Sequence, residues 1–348
     1  MSNLTGTTSS PPSQSSPNAS WSYLYPFLLL LYPTICALLR YSRLRTTLDT
    51  FPYTTRRSFA SMTDKDAMRI QQIIGELEFP FTFEKALQFA LFRTYGIPTI
   101  SKLLCATSQF SEPSTACKRY SDTGLLINEF MGHEPTSERT REAIGRMNYI
   151  HSGYQKSGKI LDDDMLYTLA LFACEPVCWI NKYEWRRLED FEVCALGTFW
   201  KSVGDAMGIS WEQLRSGTGG KEGSWRDGLE WWEEICEWSQ AYERVKMVPA
   251  ETNRKTAEET TRILLWTIPG PLKGVGRHLV SALMDDRLRK AMMCVPTNLP
   301  QFSIADNYTG IQLLQTPTTT SSPPPSPSAN TSSATSLSHA LTSCAPTT

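Results

Sequence analysis

The chain has 348 residues, 41% of them apolar, and a formal net charge of -1. That length buries an ample core, and a near-neutral balance without a basic stripe excludes the electrostatic footprint of a nucleic-acid-binding protein. The 9 cysteines follow no repeating frame, which argues against a disulfide scaffold and for a reducing compartment.

Residues 1–20 are polar, rich in Ser, Thr and Pro, and read as a disordered N-terminus. Residues 21–39 carry no charged side chain and match the length of a bilayer-crossing helix. Pro26 and Pro33 predict a bent helix, and Trp21, Tyr23 and Tyr25 suit the headgroup belt. The basic residues Arg40, Arg43 and Arg45 follow the apolar run rather than precede it, so the stretch reads as a single-pass anchor rather than a cleaved signal. The same charges predict a cytosolic catalytic domain and a lumenal N-terminus, where the sequons at Asn3 and Asn18 would make the chain a glycoprotein.

Residues 40–61 read as a linker, and residues 62–294 as helices separated by Pro and Gly breaks. Thr63 or Asp64 caps a predicted helix reaching about Glu78; another covers residues 84–94 after Pro80, and an apolar segment spans 100–105. On a predicted helix over 115–131, Arg119, Thr123, Leu126, Ile127 and Phe130 share one face. An arginine and a threonine heading an apolar face form either a snorkelling cation or a donor pair aimed into a pocket.

The stretch 146–172 holds the chain's most informative histidine. Ala143, Met147, Ile150, His151 and Tyr154 recur at spacings of three and four, which puts His151 on an apolar helix face. It reads either as a hydrogen-bonded core histidine or as an axial haem ligand. The acids Asp162, Asp163 and Asp164 stand where a helix N-terminus is capped, before an apolar run. Cys174 and Cys178 lie one turn apart with no second pair to complete a metal site, and read as buried thiols.

Further helices are predicted over 188–207, 225–245 and 275–293, with the glycine-rich stretch 216–223 as a loop. The 225–245 helix has the apolar face Leu229, Trp232, Ile235 and Cys236. On the 275–293 helix, Asp285, Asp286, Arg287 and Arg289 read as a solvated mixed-charge face, and His278 as a surface residue. Residues 295–348 read as a disordered tail, dominated by Ser, Thr and Pro from residue 316.

Five segments in order, at 88–104, 110–126, 150–173, 197–210 and 284–292, resemble the family of fungal endoplasmic-reticulum-bound oxygenases and bacterial latex-clearing, or rubber, oxygenases. The resemblance implies an all-α, globin-like catalytic domain behind an N-terminal transmembrane helix in the endoplasmic reticulum membrane, holding haem b. It implies His151 as the iron ligand and Arg119 with Thr123 as the pair on the opposite side. Asp122 stands where the rubber-cleaving branch has lysine, and is expected to pair with Arg119 or act as a base; Asn148 replaces a frequent arginine. The implied activity in secondary metabolite biosynthesis is O2-dependent cleavage of a carbon–carbon double bond in the isoprenoid, farnesyl-type side chain of a prenylated small molecule. Hydroxylation of a lipid-like substrate, or binding without catalysis, are the competing expectations.

Overall fold

A computed structural model describes residues 19–107, 113–217 and 224–294, and these contain helices and no strand. The predicted N-terminal disorder, most of the glycine-rich loop, and the tail lie outside the described residues. Helix α1 (Ala19–Leu39) contains Pro26 and Pro33. From Tyr25 onward its apolar side chains are exposed, as a bilayer-facing helix requires.

The segment read as a linker is instead packed on the domain. Helix α2 (Ser42–Thr50) buries Leu44 and Thr47, and Phe51, Tyr53 and Phe59 follow into the core. Their apolar surface outweighs the polar residues between them.

Helix α3 (Asp64–Gln72) starts where Thr63 accepts a hydrogen bond from the Asp66 amide at 3.1 Å, and runs into a π-helical turn over Ile73–Glu78. Proline opens both α4 (Pro80–Thr94) and α5 (Pro98–Ala106), positions where its missing N–H costs nothing. Helices α6 (Pro113–Gly132), α7 (Glu138–Lys156), α8 (Asp162–Tyr183), α9 (Asp190–Met207) and α10 (Gly228–Lys246) build the body. Within the predicted 188–207 helix, Gly208 at φ 68° ends α9, while Gly204 lies inside it beneath Trp211.

Helix α8 is the axis. From Leu166 to Ile180 every residue but Thr168 is buried, with α4, α9 and α10 packed around it. Helices α9 and α10 approach closely through glycine: a Cβ at Gly197 would stand 2.0 Å from the Gly228 carbonyl oxygen.

This packing corrects two expectations. Cys174 is not a free thiol, because α8 and α10 bring its Cα within 6.1 Å of that of Cys236 and the two form a disulfide, which removes the cysteine pattern as an argument for a reducing compartment. Cys178 is a free, buried cysteine as expected. After α11 (Glu251–Leu264), the predicted 275–293 helix is broken into α12 (Lys273–Leu283) and α13 (Asp286–Ala291). The break turns Asp285 inward, so it is buried rather than solvated, as is Arg289.

Asp285 completes a buried ionic cluster joining α4, α8, α10 and α13. Arg93 donates from Nε and Nη2 to the two Glu243 oxygens, each at 2.7 Å, and from Nη1 to Asp285 at 2.8 Å. Tyr167 donates to Glu243 at 2.8 Å, and Trp179 donates to Glu175 Oε2 at 3.0 Å. Glu175 Oε1 has no hydrogen-bond donor and lies 3.6 Å from Arg93 Nε. Burial, only partly offset by Arg93, pushes the Glu175 carboxyl up to about 7.

Candidate functional site

Two adjoining hollows, of about 980 and about 1020 Å³ including their mouths, lie between α4, α5, α6, α7 and α8, with α9 walling the first. They share Arg119 and His151. Each wall follows from sequence periodicity. Helix α6 presents Arg119, Thr123, Leu126, Ile127 and Phe130 to the first hollow, the full face that the spacing predicts. Helix α7 contributes Met147, Ile150 and His151, and Tyr154 lines the second hollow. Helix α8 adds Met165, Thr168, Leu169 and Phe172.

His151 is half-buried, and its Nδ1 is shielded from solvent without a hydrogen-bond partner. Burial first, then the positive charge of Arg119, lowers its pKa to about 4. The ring is therefore neutral at physiological pH and keeps a lone pair. A core histidine held by two hydrogen bonds, the alternative reading, is not what the structure shows.

Arg119 forms no ion pair among the described residues and lines both hollows. Thr123 Oγ1 donates back to the Arg119 carbonyl at 3.0 Å, so its proton is held within α6.

Asp122 departs from expectation. It does not line either hollow and does not pair with Arg119; its Oδ2 accepts from Lys118 Nζ at 2.7 Å on the exposed side of α6. At about 100° per residue, Asp122 is turned away from the edge shared by Arg119 and Thr123, and Lys118, one turn earlier, lies above it.

The acids at the start of α8 divide. All three fall in its first turn, where they complement the dipole, but none caps it through a side chain. Asp164 instead turns inward at the second hollow, accepting from Tyr242 at 2.7 Å and Thr99 at 2.9 Å. Burial raises its pKa despite those two donors.

Sequence reasoning missed Thr94, Tyr95, Thr168 and Lys159. Thr168 alone left a signal, as a polar position in an apolar run. Tyr95 is buried against the first hollow, and Lys159 stands exposed at the second.

The residues present fit an iron porphyrin. A neutral imidazole, its Nδ1 buried without a partner, stands in the wall of a large apolar space beside the Arg119 cation. Among the described residues no group of three or more His, Cys, Asp or Glu side chains is placed to hold a bare metal ion.

Residues 103–309 match the family model described as ER-bound oxygenase mpaB/B'/Rubber oxygenase, catalytic domain. The chain is 54% identical over 268 residues to the ER-bound oxygenase mpaB of Penicillium roqueforti (strain FM164), covering 77% of this chain and 89% of that protein. It is 52% identical over 273 residues to the ER-bound oxygenase mpaB' of Penicillium brevicompactum, covering 78% of this chain and 64% of that one. Against the ER-bound oxygenase mpaB of the same species it is 51% identical over 245 residues, covering 70% and 62%.

Proposed function

The chain belongs to the family of ER-bound oxygenases mpaB/B' and rubber oxygenases, and from that premise we propose that it is a membrane-anchored, haem-dependent oxygenase. It cleaves a carbon–carbon double bond in the isoprenoid side chain of a prenylated metabolite. The observation that carries the reading is the neutral imidazole of His151, its Nδ1 without a partner, beside Arg119 in an apolar cleft. On this reading the helical body is a globin-like haem domain, held at the endoplasmic reticulum by α1 with its catalytic side in the cytosol.

Haem b, when bound, supplies the iron at which dioxygen is activated. His151 would hold it, since its pKa of about 4 leaves the lone pair free of a proton at neutral pH. Lys159, exposed at the second hollow, would be the cation available to the porphyrin carboxylates.

The apolar wall, with Leu126, Ile127, Phe130 and Phe172, takes up an isoprenoid chain and excludes water. Arg119 donates toward negative charge that develops on oxygen during cleavage. Thr123 has a narrower part: with its proton bound to the α6 backbone, it shapes the wall and offers lone pairs. Cleavage of one double bond by one O2 yields two carbonyl groups, so the overall change balances without an external reductant.

The test is the absorption spectrum of the full chain, purified in detergent with ample haem, with and without His151→Ala. The expected result is a Soret band that is lost or displaced in the variant. A wild-type chain that folds without a Soret band refutes the haem reading. Product mass then separates cleavage into two carbonyl fragments from hydroxylation, which adds one oxygen.

A further inference from the structure

The foot of α1 is fixed to the domain at one place. Arg40 and Tyr41 join α1 to α2, and both meet Trp185: the Arg40 guanidinium lies 5.1 Å from the ring centroid, and the Tyr41 ring stands edge-on at 5.3 Å. Arg43 donates to the Leu77 carbonyl, and Leu44 and Thr47 are buried beside it.

Around that foot, large apolar side chains stand in solvent. Leu77 is 56% exposed, Phe81 71%, Tyr183 40% and Trp185 38%. They belong to one neighbourhood: Phe79 packs on Trp185 at 6.0 Å, and Thr82 donates to Glu184. Cations flank the rings, with Lys85 at 5.7 Å from Phe81 and Lys182 at 5.3 Å from Tyr183.

The patch rests on a stiff base. Arg186 is buried and bonds both Glu78 and Glu192, with a shortest distance of 2.7 Å to each, while its guanidinium covers the Phe79 ring at 5.2 Å. Burying two acids around one cation is justified only in a fixed geometry, so the exposed side chains are held in place from below.

We propose that this face, centred on Trp185 with Leu77, Phe81 and Tyr183, seats in the headgroup layer of the phospholipid bilayer that α1 crosses. The inference rests on the reading of α1 as a membrane anchor. Three observations select lipid as the occupant. The patch is continuous with the end of the apolar helix, which places it at the depth where that helix leaves the hydrocarbon. Its aromatic rings are of the type that occupies membrane interfaces. Its arginines and lysines suit lipid phosphates while their stems lie along apolar surface.

Seating fixes the domain's attitude rather than leaving it tethered. Along α4, the cleft residue Thr94 then stands about 20 Å from Phe81 at 1.5 Å per residue. That span is the most by which α4 can lift Thr94 from the interface, reached when the helix stands along the membrane normal.

The experiment uses the full chain in nanodiscs of phosphatidylcholine with phosphatidylserine. An environment-sensitive fluorescent amino acid replaces Leu77 or Phe81, or, as controls, Tyr149 or Val245, which are 72% and 70% exposed on α7 and α10. All four positions are at the surface, so the fold tolerates the change. The expected result is blue-shifted emission at 77 and 81, lost when headgroup-labelled nitroxide lipid is included and resistant to aqueous iodide, with the controls showing the reverse. Iodide quenching at 77 and 81 equal to that of the controls, in a chain that stays with the nanodisc, overturns the seated face alone. A chain that does not stay with the nanodisc overturns the anchor and the seated face together.

Discussion

Replacing Glu175 by glutamine isolates the charge balance of the buried cluster. Arg93 faces three carboxylates, Glu175, Glu243 and Asp285, and among the described residues only Arg287, 3.4 Å from Glu243, brings a second cation from the rim. The Glu175 carboxyl sits near 7 in the folded protein, against 4.5 for an ordinary glutamate. The sign follows: between those values the folded state holds a proton that the unfolded state has released, so native stability falls as pH rises through that window. From about pH 5 to about pH 8 the loss attributable to this group is roughly 2–3 kcal/mol. Glutamine cannot titrate, and its amide oxygen still accepts from Trp179. Glu175→Gln is therefore expected to stabilise the protein at about pH 8 by roughly 2–3 kcal/mol more than it does at about pH 5. Urea denaturation of both chains at the two pH values, followed by circular dichroism, measures the difference. A variant whose stability tracks wild type in parallel across that range would show that Glu175 is ionised throughout, refuting the argument.

Two further outcomes follow from the corrected positions. Asp122→Asn is expected to change stability by no more than about 0.5 kcal/mol, since an exposed i,i+4 pair contributes little, and to leave the Soret band and turnover intact; a large loss of turnover would return Asp122 to the site. Cys174→Ala with Cys236→Ala is expected to cost about 4 kcal/mol through the 62-residue separation that the disulfide closes. Alkylation of the denatured, unreduced wild type, read by mass, checks the premise, because modification of all 9 cysteines would exclude the bond.

What the sequence showed of the site is what a single helix can show. Arg119, Thr123, Leu126, Ile127 and Phe130 reach the cleft because spacing alone puts them on one face. His151 is legible on the same grounds. Asp122 was misread because it lies three positions after Arg119 and four after Lys118, both spacings that permit an ion pair, and the pair that forms is the exposed one with Lys118. Features made by two or more elements left no local trace. Cys174 meets Cys236 only once α8 packs on α10, and Asp285 leaves the solvated face only because the chain breaks between α12 and α13 to reach Arg93. The packing of residues 42–59 on the domain was likewise hidden, since Leu44, Phe51, Tyr53 and Phe59 are too sparse to show a period.

The near-complete burial of α8 also bears on synthesis. The helix ends at Tyr183, while α10, which covers one of its sides, is complete only at Lys246. About 60 residues at roughly 5–20 per second leave an interval of about 3–12 s. During that time the helix that is most completely buried in the finished domain has emerged without its cover. Until Asp285 is made, Arg93 also lacks one of its carboxylate partners. A nascent chain held at the membrane by α1 spends that interval with greasy surface beside lipid and neighbouring chains, so its yield in a cell depends on chaperone capture as much as on the stability of the finished fold.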